Sequence, residues 1–362
     1  MMKTFVVALL LIHGAIHVIG VAKAFGLAQM EAMAQSVTRP WGVVWGTCAL
    51  LFLASAVARL ANVSWWWGFG APAIVASQVA IIAFWSDARV GTVANVLLLV
   101  AVLVGFGRWR FAAEVEADVA SLPSRAPSHV ARPVQESDLA GLPPVVRTWL
   151  RRSGVVGRPP DHAVYLTQSG DMRTSPDADW RSFRAEQWFT TAEPGFVWAA
   201  DVDGPFGTFL AGRDRYLDGK GEMRIELLSL VPVVDARGPT IDQGALVRYL
   251  AEVMWFPSAA LEPYVTWQAI DDRTARATLR HAGVEVSGSY RFDDAGDVIG
   301  FEAKRYRGHV LEDWIIENDP FAIRLVDGVR IPTRSTVTWR DDAGQRWTWL
   351  RLHLLTLERV GD

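Results

Sequence analysis

The chain has 362 residues, 51% of them hydrophobic, with a formal net charge of -3 and a single cysteine. It holds no basic block of the kind that grips a phosphate backbone, so nucleic acid is excluded as a partner. One cysteine, Cys48, makes neither a disulfide within the chain nor a cysteine-based metal site, and it leaves the redox compartment open.

The hydrophobic excess lies at the amino end. Four apolar runs, residues 4–21, 42–58, 67–85 and 90–106, are separated by short polar breaks. Each is about 17 to 20 residues long, near the length a helix needs to cross the hydrocarbon. A cleaved secretory signal accounts for the first run alone, and His13, His17 and Lys23 stand where a small-residue cleavage site belongs. The sequence therefore predicts a four-helix transmembrane domain over residues 1–110 of a multi-pass protein, with the lipid bilayer as its partner. Four crossings bring both termini to one side. Lys3, Arg59, Arg108 and Arg110 collect there, against Lys23, Arg39 and Arg89 opposite, which predicts the inner (cytoplasmic) membrane with a cytoplasmic C-terminal domain.

His13 and His17 fall one helical turn apart in the first run, with Gln78 and Asn95 on later runs. Polar side chains in hydrocarbon are costly, so these four are expected to face the bundle interior. Metal or haem ligation, a quinone or other small apolar ligand, and interhelical hydrogen bonding all fit the residue types. Haem would draw its imidazoles from opposing helices, and there is no third intramembrane histidine, so hydrogen bonding is the expectation and no cofactor is predicted. Gly14 and Gly20 suit close helix packing. Trp65, Trp66, Trp67 and Trp85 suit an interfacial aromatic belt.

Residues 111–141 read as a short amphipathic helix, Phe111 to Leu122, followed by the Pro/Ser-rich linker "LPSRAPSHVARPVQESD". Soluble sequence, residues 142–362, resumes with "LPPVVRTWLRRSG", a short helix with proline at its start and Gly154 at its end.

From His162 the period changes to two. In "VEVSGSYRF" one side carries Val284, Val286, Tyr290 and Phe292 and the other Glu285, Ser287, Ser289 and Arg291, the pattern of a half-buried strand. "TARATLRH", "SFRAEQWF" and "IGFEAKRY" alternate likewise, and "DGKG", "DDAGD", "VDGVRIP" and "DDAGQ" mark turns. Roughly eleven strands joined by short turns imply one large antiparallel sheet, whose apolar face must curl or be covered. The stretch "VPVVDARGPTIDQGALVRYLAEVMWFP" supplies the cover. Thr240 and Gln243 fit a capping box at the start of a lid helix over 242–256. Leu246, Tyr249, Leu250, Val253 and Met254 repeat along one face. With Trp255 and Phe256 they are the candidate ligand-binding residues, while Arg248 and Glu252 lie elsewhere on the turn. The predicted fold class is thus a membrane all-α four-helix domain plus an α+β soluble domain, a curved antiparallel half-barrel covered by one amphipathic helix.

"LLIHGAIHVIGVAKAFGLA", "SDARVGTVANVLLL", "LRRSGVVGRPP" and the lid-helix stretch resemble a family of bacterial membrane proteins with four N-terminal spans and a C-terminal domain of unknown function. The resemblance covers nearly the whole chain and implies no activity. The strand count and single helix also look like the half-barrels of periplasmic lipoprotein carriers, a likeness that implies an acyl-chain site between sheet and helix.

For chemistry, Asp235 and Asp242 with Arg237 offer an acid, a base and an anion clamp. The plainer reading pairs Asp235 with Arg237 and sets Thr240 or Asp242 at the helix start. His281 falls on the apolar side of its strand, as a buried acid or base or as a rim histidine donating to a carbonyl. No HExxH or CxxC pattern exists, His309 and His353 lack partners at ligand spacing, and no metal is predicted. The sequence thus points to a membrane-tethered binder or carrier of a lipid or other hydrophobic molecule. The alternatives are an enzyme acting on a lipid head group or cell-envelope intermediate through Asp235, Asp242 and His281, and a scaffold for other proteins, whose identity the sequence does not carry.

Overall fold

A computed structural model describes residues 2–28, 34–123, 132–204 and 207–360. Residues 124–131 of the expected linker lie outside the described residues. The chain forms two compact units, Met1–Ala113 with Leu228–Leu230, and Glu114–Leu227 with Val231–Asp362.

The first unit is helical: α1 (Met2–Ala24), α2 (Arg39–Leu60), α3 (Trp67–Ala83), the single turn α4 (Trp85–Ala88) and α5 (Gly91–Ala120), which runs on past the unit's boundary. Among the described residues three helices, α1, α2 and α5, are long and apolar enough to cross a membrane, against the four spans expected. The third run makes a helix of 17 residues, about 25 Å at ~1.5 Å per residue against a hydrocarbon core of ~30 Å. Pro72 inside it lacks the amide that would continue the ladder, and the helix stops where Phe84 takes φ -118° and ψ 42°. Large apolar side chains such as Ile12, Val43, Val75, Ile82 and Val93 remain exposed on the helices, as lipid-facing residues would. The small residues allow close approach: a Cβ on Gly14 would stand 3.0 Å from that of Phe52, and Gly20 lies against the Trp45 ring. Lys3 Nζ donates to Leu60 O at 3.1 Å and Asn62 Oδ1 at 2.7 Å, which ties the start of α1 to the end of α2. The Arg59 guanidinium lies 5.5 Å over Trp66, with Arg108 close enough to act on its charge.

The amphipathic stretch from Phe111 continues α5 without interruption to Ala120.

In the second unit α6 (Pro144–Ser153) ends on Gly154 at φ 83°, the left-handed cap that glycine favours. The strands that follow are β1 (Ala163–Met172), β2 (Arg181–Thr190), β3 (Gly195–Gly204), β4 (Gly207–Leu217), β5 (Lys220–Leu227), β6 (Val231–Arg237), β7 (Val265–Asp271), β8 (Thr274–His281), β9 (Val284–Phe292), β10 (Val298–Arg307), β11 (Val310–Asn318), β12 (Ile323–Val326), β13 (Val329–Pro332), β14 (Arg334–Arg340) and β15 (Arg346–Val360). Thirteen form one antiparallel sheet in the order β6-β5-β4-β3-β2-β1-β15-β14-β11-β10-β9-β8-β7, and β12 with β13 make a separate hairpin. Two meanders run outward from the middle, and β14 and β15 join them. The β4–β5, β8–β9 and β12–β13 turns place Asp218-Gly219, Ala282-Gly283 and Asp327-Gly328 at positive φ, which fits two-residue hairpins.

The sheet's two edges, β6 and β7, are consecutive in sequence, and the chain passes between them through α7 (Pro239–Glu252) and the 3-10 turns Val253–Trp255 and Pro257–Leu261. The sheet curves into a half-barrel around this helix. The expected capping box does not form. Gly238, at φ 110°, precedes Pro239 at the first turn, and no side chain caps the helix, which starts and ends a few residues before the expected 242–256. Leu246, Tyr249, Leu250, Val253 and Phe256 are wholly buried in one core with strand residues such as Phe189, Leu279 and Tyr290.

Candidate functional site

Between the inner face of the sheet and α7 lies a cavity of about 590 Å³, within the ~300–1,000 Å³ range of small-molecule sites. Its walls are largely apolar, with Trp198, Trp314, Trp339, Trp347 and Trp349 around Met172, Met223, Ile225 and Val234. Of the residues expected to bind a ligand, Met254 and Trp255 line it; Leu246, Tyr249, Leu250, Val253 and Phe256 do not. Instead α7 turns Ile241, Arg248, Ala251 and Glu252 toward the space. The strongly apolar face of the helix was captured by the core, so the mixed face roofs the cavity.

Arg248 organises the polar part of that roof. Its Nη1 donates to Asp214 Oδ2 at 2.8 Å and its Nε to Glu252 Oε1 at 2.9 Å, and its guanidinium lies 4.8 Å over the Trp198 ring. Gln187 Nε2 donates to the second Glu252 oxygen at 2.8 Å, Gln168 Nε2 donates to Gln187 Oε1 at 3.4 Å, and Trp198 Nε1 donates to Gln168 Oε1 at 3.0 Å. All of these polar groups are buried or nearly so, and each carboxylate is held, as burial of charge requires. Burial nevertheless holds the Glu252 carboxyl above its ordinary range, against the opposing charge of Arg248. The arrangement is a satisfied polar seam beside an apolar space and presents no nucleophile with its base.

Sequence reasoning missed Gln168, Gln187, Asp214 and Arg305, although the signal was there. Each stands at an inward phase of its strand: Val164, Leu166, Gln168 on β1; Phe183, Ala185, Gln187 on β2; Leu210, Gly212, Asp214 on β4; Phe301, Ala303, Arg305 on β10. A polar residue in an apolar register needs a partner, and Gln168, Gln187 and Asp214 find theirs in the seam around Arg248 and Glu252.

The expected catalytic candidates go to separate places, and none lines the cavity. Asp235 is exposed on edge strand β6, 3.6 Å from Arg237. Asp242 accepts from Gly221 N at 2.8 Å and Lys220 Nζ at 3.1 Å, which ties α7 to the β4–β5 turn. His281 is on the apolar side of β8, as its phase implies, with Nδ1 3.0 Å from Tyr216 Oη and Nε2 3.3 Å from Glu193 Oε1. On the opposite face of β4 and β5, Arg213 and Arg215 both grip Glu222, and both also pair with Asp118 at the end of α5. Against the effect of its burial, hydrogen bonds from Arg237 and Arg215 and the charge of Arg213 hold the Glu222 carboxyl at about 2. Among the described residues no group of three His, Cys, Asp or Glu side chains is placed to hold a metal ion.

In the helical unit the four polar residues expected to face the bundle interior, His13, His17, Gln78 and Asn95, meet. His17 Nδ1 donates to His13 O at 2.8 Å, which fixes its tautomer and leaves Nε2 to accept from Ser77 Oγ at 2.9 Å. His13 Nε2 then donates to Asn95 Oδ1 at 2.9 Å, with Ser77 Oγ at 3.2 Å. Asn95 Nδ2 donates to Gln78 Oε1 at 3.0 Å, and Gln78 Nε2 to Thr92 Oγ1 at 3.2 Å. The chain of bonds links α1, α3 and α5 inside the bundle.

No curated protein matches the chain. Among solved structures it is similar to a domain described as outer membrane lipoprotein-sorting, from Vibrio parahaemolyticus, at 12% identity and a TM-score of 0.36 over 55% of this chain and 85% of that one. It is also similar to a DUF1329 family protein from Desulfovibrio piger, at 11% identity and a TM-score of 0.30 over 59% and 91%. A β-barrel-like protein of the DUF1849 domain from Brucella abortus matches at 12% identity and a TM-score of 0.18 over 56% and 100%. Residues 132–352, more than half of the chain, match the model of a family of unknown function, DUF6544, and the protein is a member of that family.

Proposed function

We propose that this protein is a membrane-anchored binding protein that holds a lipid or another hydrophobic molecule in the cavity beneath α7. The observation that carries the reading is the cavity itself, about 590 Å³ of mainly tryptophan- and methionine-walled space in a domain whose chain also carries three membrane-length apolar helices. A packed domain keeps few voids larger than a water molecule, so a space of this size is a binding feature by default. The bilayer is the nearest reservoir of apolar guests.

Membrane proteins carry lipid when purified, so the test is a comparison. The full-length protein and its cavity-filling variants Ala200→Trp and Val337→Trp are purified in parallel and their organic extracts compared by mass spectrometry. A species enriched in the native protein and depleted in both variants is the expected result. Identical extracts from all three overturn the reading.

For orientation, the end of the helical unit that bears Lys3, Arg59 and Arg108 is assigned to the cytoplasm, since positive residues are retained there. A reporter at the carboxyl terminus that is active only in the periplasm refutes that assignment.

A further inference from the structure

We propose that Arg305 is the anchor for an anionic head group, so that the guest of the cavity is an amphiphile with an apolar chain and a terminal carboxylate or phosphate. The inference deepens, and rests on, the reading of the cavity as an apolar-ligand site.

Arg305 sits on the inner face of β10 with 8% of its surface exposed, and it lines the cavity. Its Nε donates to Gly244 O of α7 at 3.0 Å, and its guanidinium lies 4.7 Å over the Trp314 ring. These two contacts fix the plane of the group. Its remaining N–H donors have no acceptor among the described residues, and no carboxylate comes within ion-pair distance. The two nearest, Asp214 and Glu252, are both engaged by Arg248. An arginine this deeply buried ordinarily has a carboxylate or several carbonyls around it, because stranding the charge is expensive.

The surrounding charge has the same sign. Apart from Arg213, whose side chain turns to the opposite face of β4, four arginines line the cavity, residues 173, 248, 305 and 307, against two carboxylates, Asp214 and Glu252, with Arg307 also held by Glu312. Burial draws the Arg305 pKa down to about 10, a shift that a bound anion would reverse. A planar guanidinium with open donors matches two oxygens of a carboxylate or phosphate, and the match is strongest where water is excluded. The apolar walls accept the chain while Arg305 fixes which end lies beside α7.

The test uses the full-length protein in nanodiscs and a long-chain fatty acid with a diazirine near its tail, alongside the methyl ester of the same probe. After irradiation the labelled peptides are identified by mass spectrometry. The acid is expected to label cavity peptides, those with Trp198, Met254 or Trp314, about tenfold more than the ester. Arg305→Met should bring the acid down to the level of the ester, while Arg305→Lys keeps part of the preference. Unlabelled palmitate and unlabelled lysophosphatidate compete in separate arms, and the stronger competitor names the head group. Displacement by a monoglyceride and by neither anion overturns the proposal. Equal labelling by acid and ester in the native protein also overturns it, while the apolar-ligand reading stands. If neither probe labels the cavity, that underlying reading falls instead. Should Arg305→Met fail to fold by circular dichroism, the acid-to-ester ratio of the native protein and of Arg305→Lys decides.

Discussion

Replacing Arg248 with methionine removes the one cation that touches both Asp214 and Glu252 and leaves two buried carboxylates uncompensated. Breaking a buried pair from one side costs about 3–5 kcal/mol. For a unit of this size a kcal/mol moves the melting temperature by roughly 2–4 °C, so the variant should melt about 6–20 °C below the native protein at pH 8. The deficit should depend on pH. Without Arg248 the folded-state pKa of the Glu252 carboxyl, already held above the unfolded value by burial, rises further, so the folded variant binds more protons than the unfolded chain between the two values. Its stability therefore falls as pH rises through that window, and the gap to the native protein is narrower at pH 5 than at pH 8. The triple variant Arg248→Met/Asp214→Asn/Glu252→Gln removes all three charges together and should recover at least half of the loss, because it strands no charge. Thermal melts of the full-length protein in nanodiscs, followed by near-UV circular dichroism, measure all three. A single variant within about 2 °C of native at pH 8, or a deficit independent of pH, would show that Arg248 does not neutralise this seam.

Glu262 is half-buried and its carboxyl is pushed up to about 7 by burial. Its folded-state pKa is raised above the usual 4.5, so the stability it permits is full below about 4.5 and is lost as pH rises toward 7. Glu262→Gln should raise the melting temperature at pH 8, by an amount worth about 1 kcal/mol once solvent screening is allowed for, and change nothing at pH 4. Equal effects at both values refute the assignment. Ser77→Ala takes a donor from His17 and should lower the stability of the helical unit by about 1 kcal/mol, read as its loss of helicity on titration with a denaturing detergent. An unchanged titration would mean that the serine is incidental. Gly20 packs on the Trp45 ring, so Gly20→Leu should separate α1 from α2 and raise the rate of cysteine modification at buried Cys48. A rate equal to that of the native protein refutes the close packing.

The strands were legible because alternation is a local property, and the hairpins because a residue such as Gly219 or Gly328 at positive φ marks its own turn. His13 and His17 were equally legible, since a polar group in hydrocarbon announces that it has partners. The lining of the cavity was not. Leu246, Tyr249 and Leu250 were the apolar face of an isolated helix, and an isolated helix does not say whether that face meets a void or a core. Here β8, β9 and β10 supply side chains that fill it, and the face with Arg248 and Glu252 falls to the cavity. The partners of that face, Asp214 on β4 and Gln187 on β2, are brought to it by pairing across the sheet, which no local window contains. The third apolar run makes a shorter helix than its hydropathy implies, for a different reason. Hydropathy counts residues, whereas the turn at Phe84 sets where the helix ends.

The size of the cavity bears on what state it can be in. A space of about 590 Å³ that opens to solvent is occupied either by water or by a guest. Water alone would meet five tryptophan rings and few polar partners, since Arg248, Asp214 and Glu252 already satisfy one another, while among the described lining residues Arg305 and the ring nitrogens of Trp314 and Trp349 have donors to spare. An apolar chain relieves the walls, and an anion at its end relieves Arg305. The shape of the sheet and the one unpaired guanidinium inside it thus ask for the same kind of molecule.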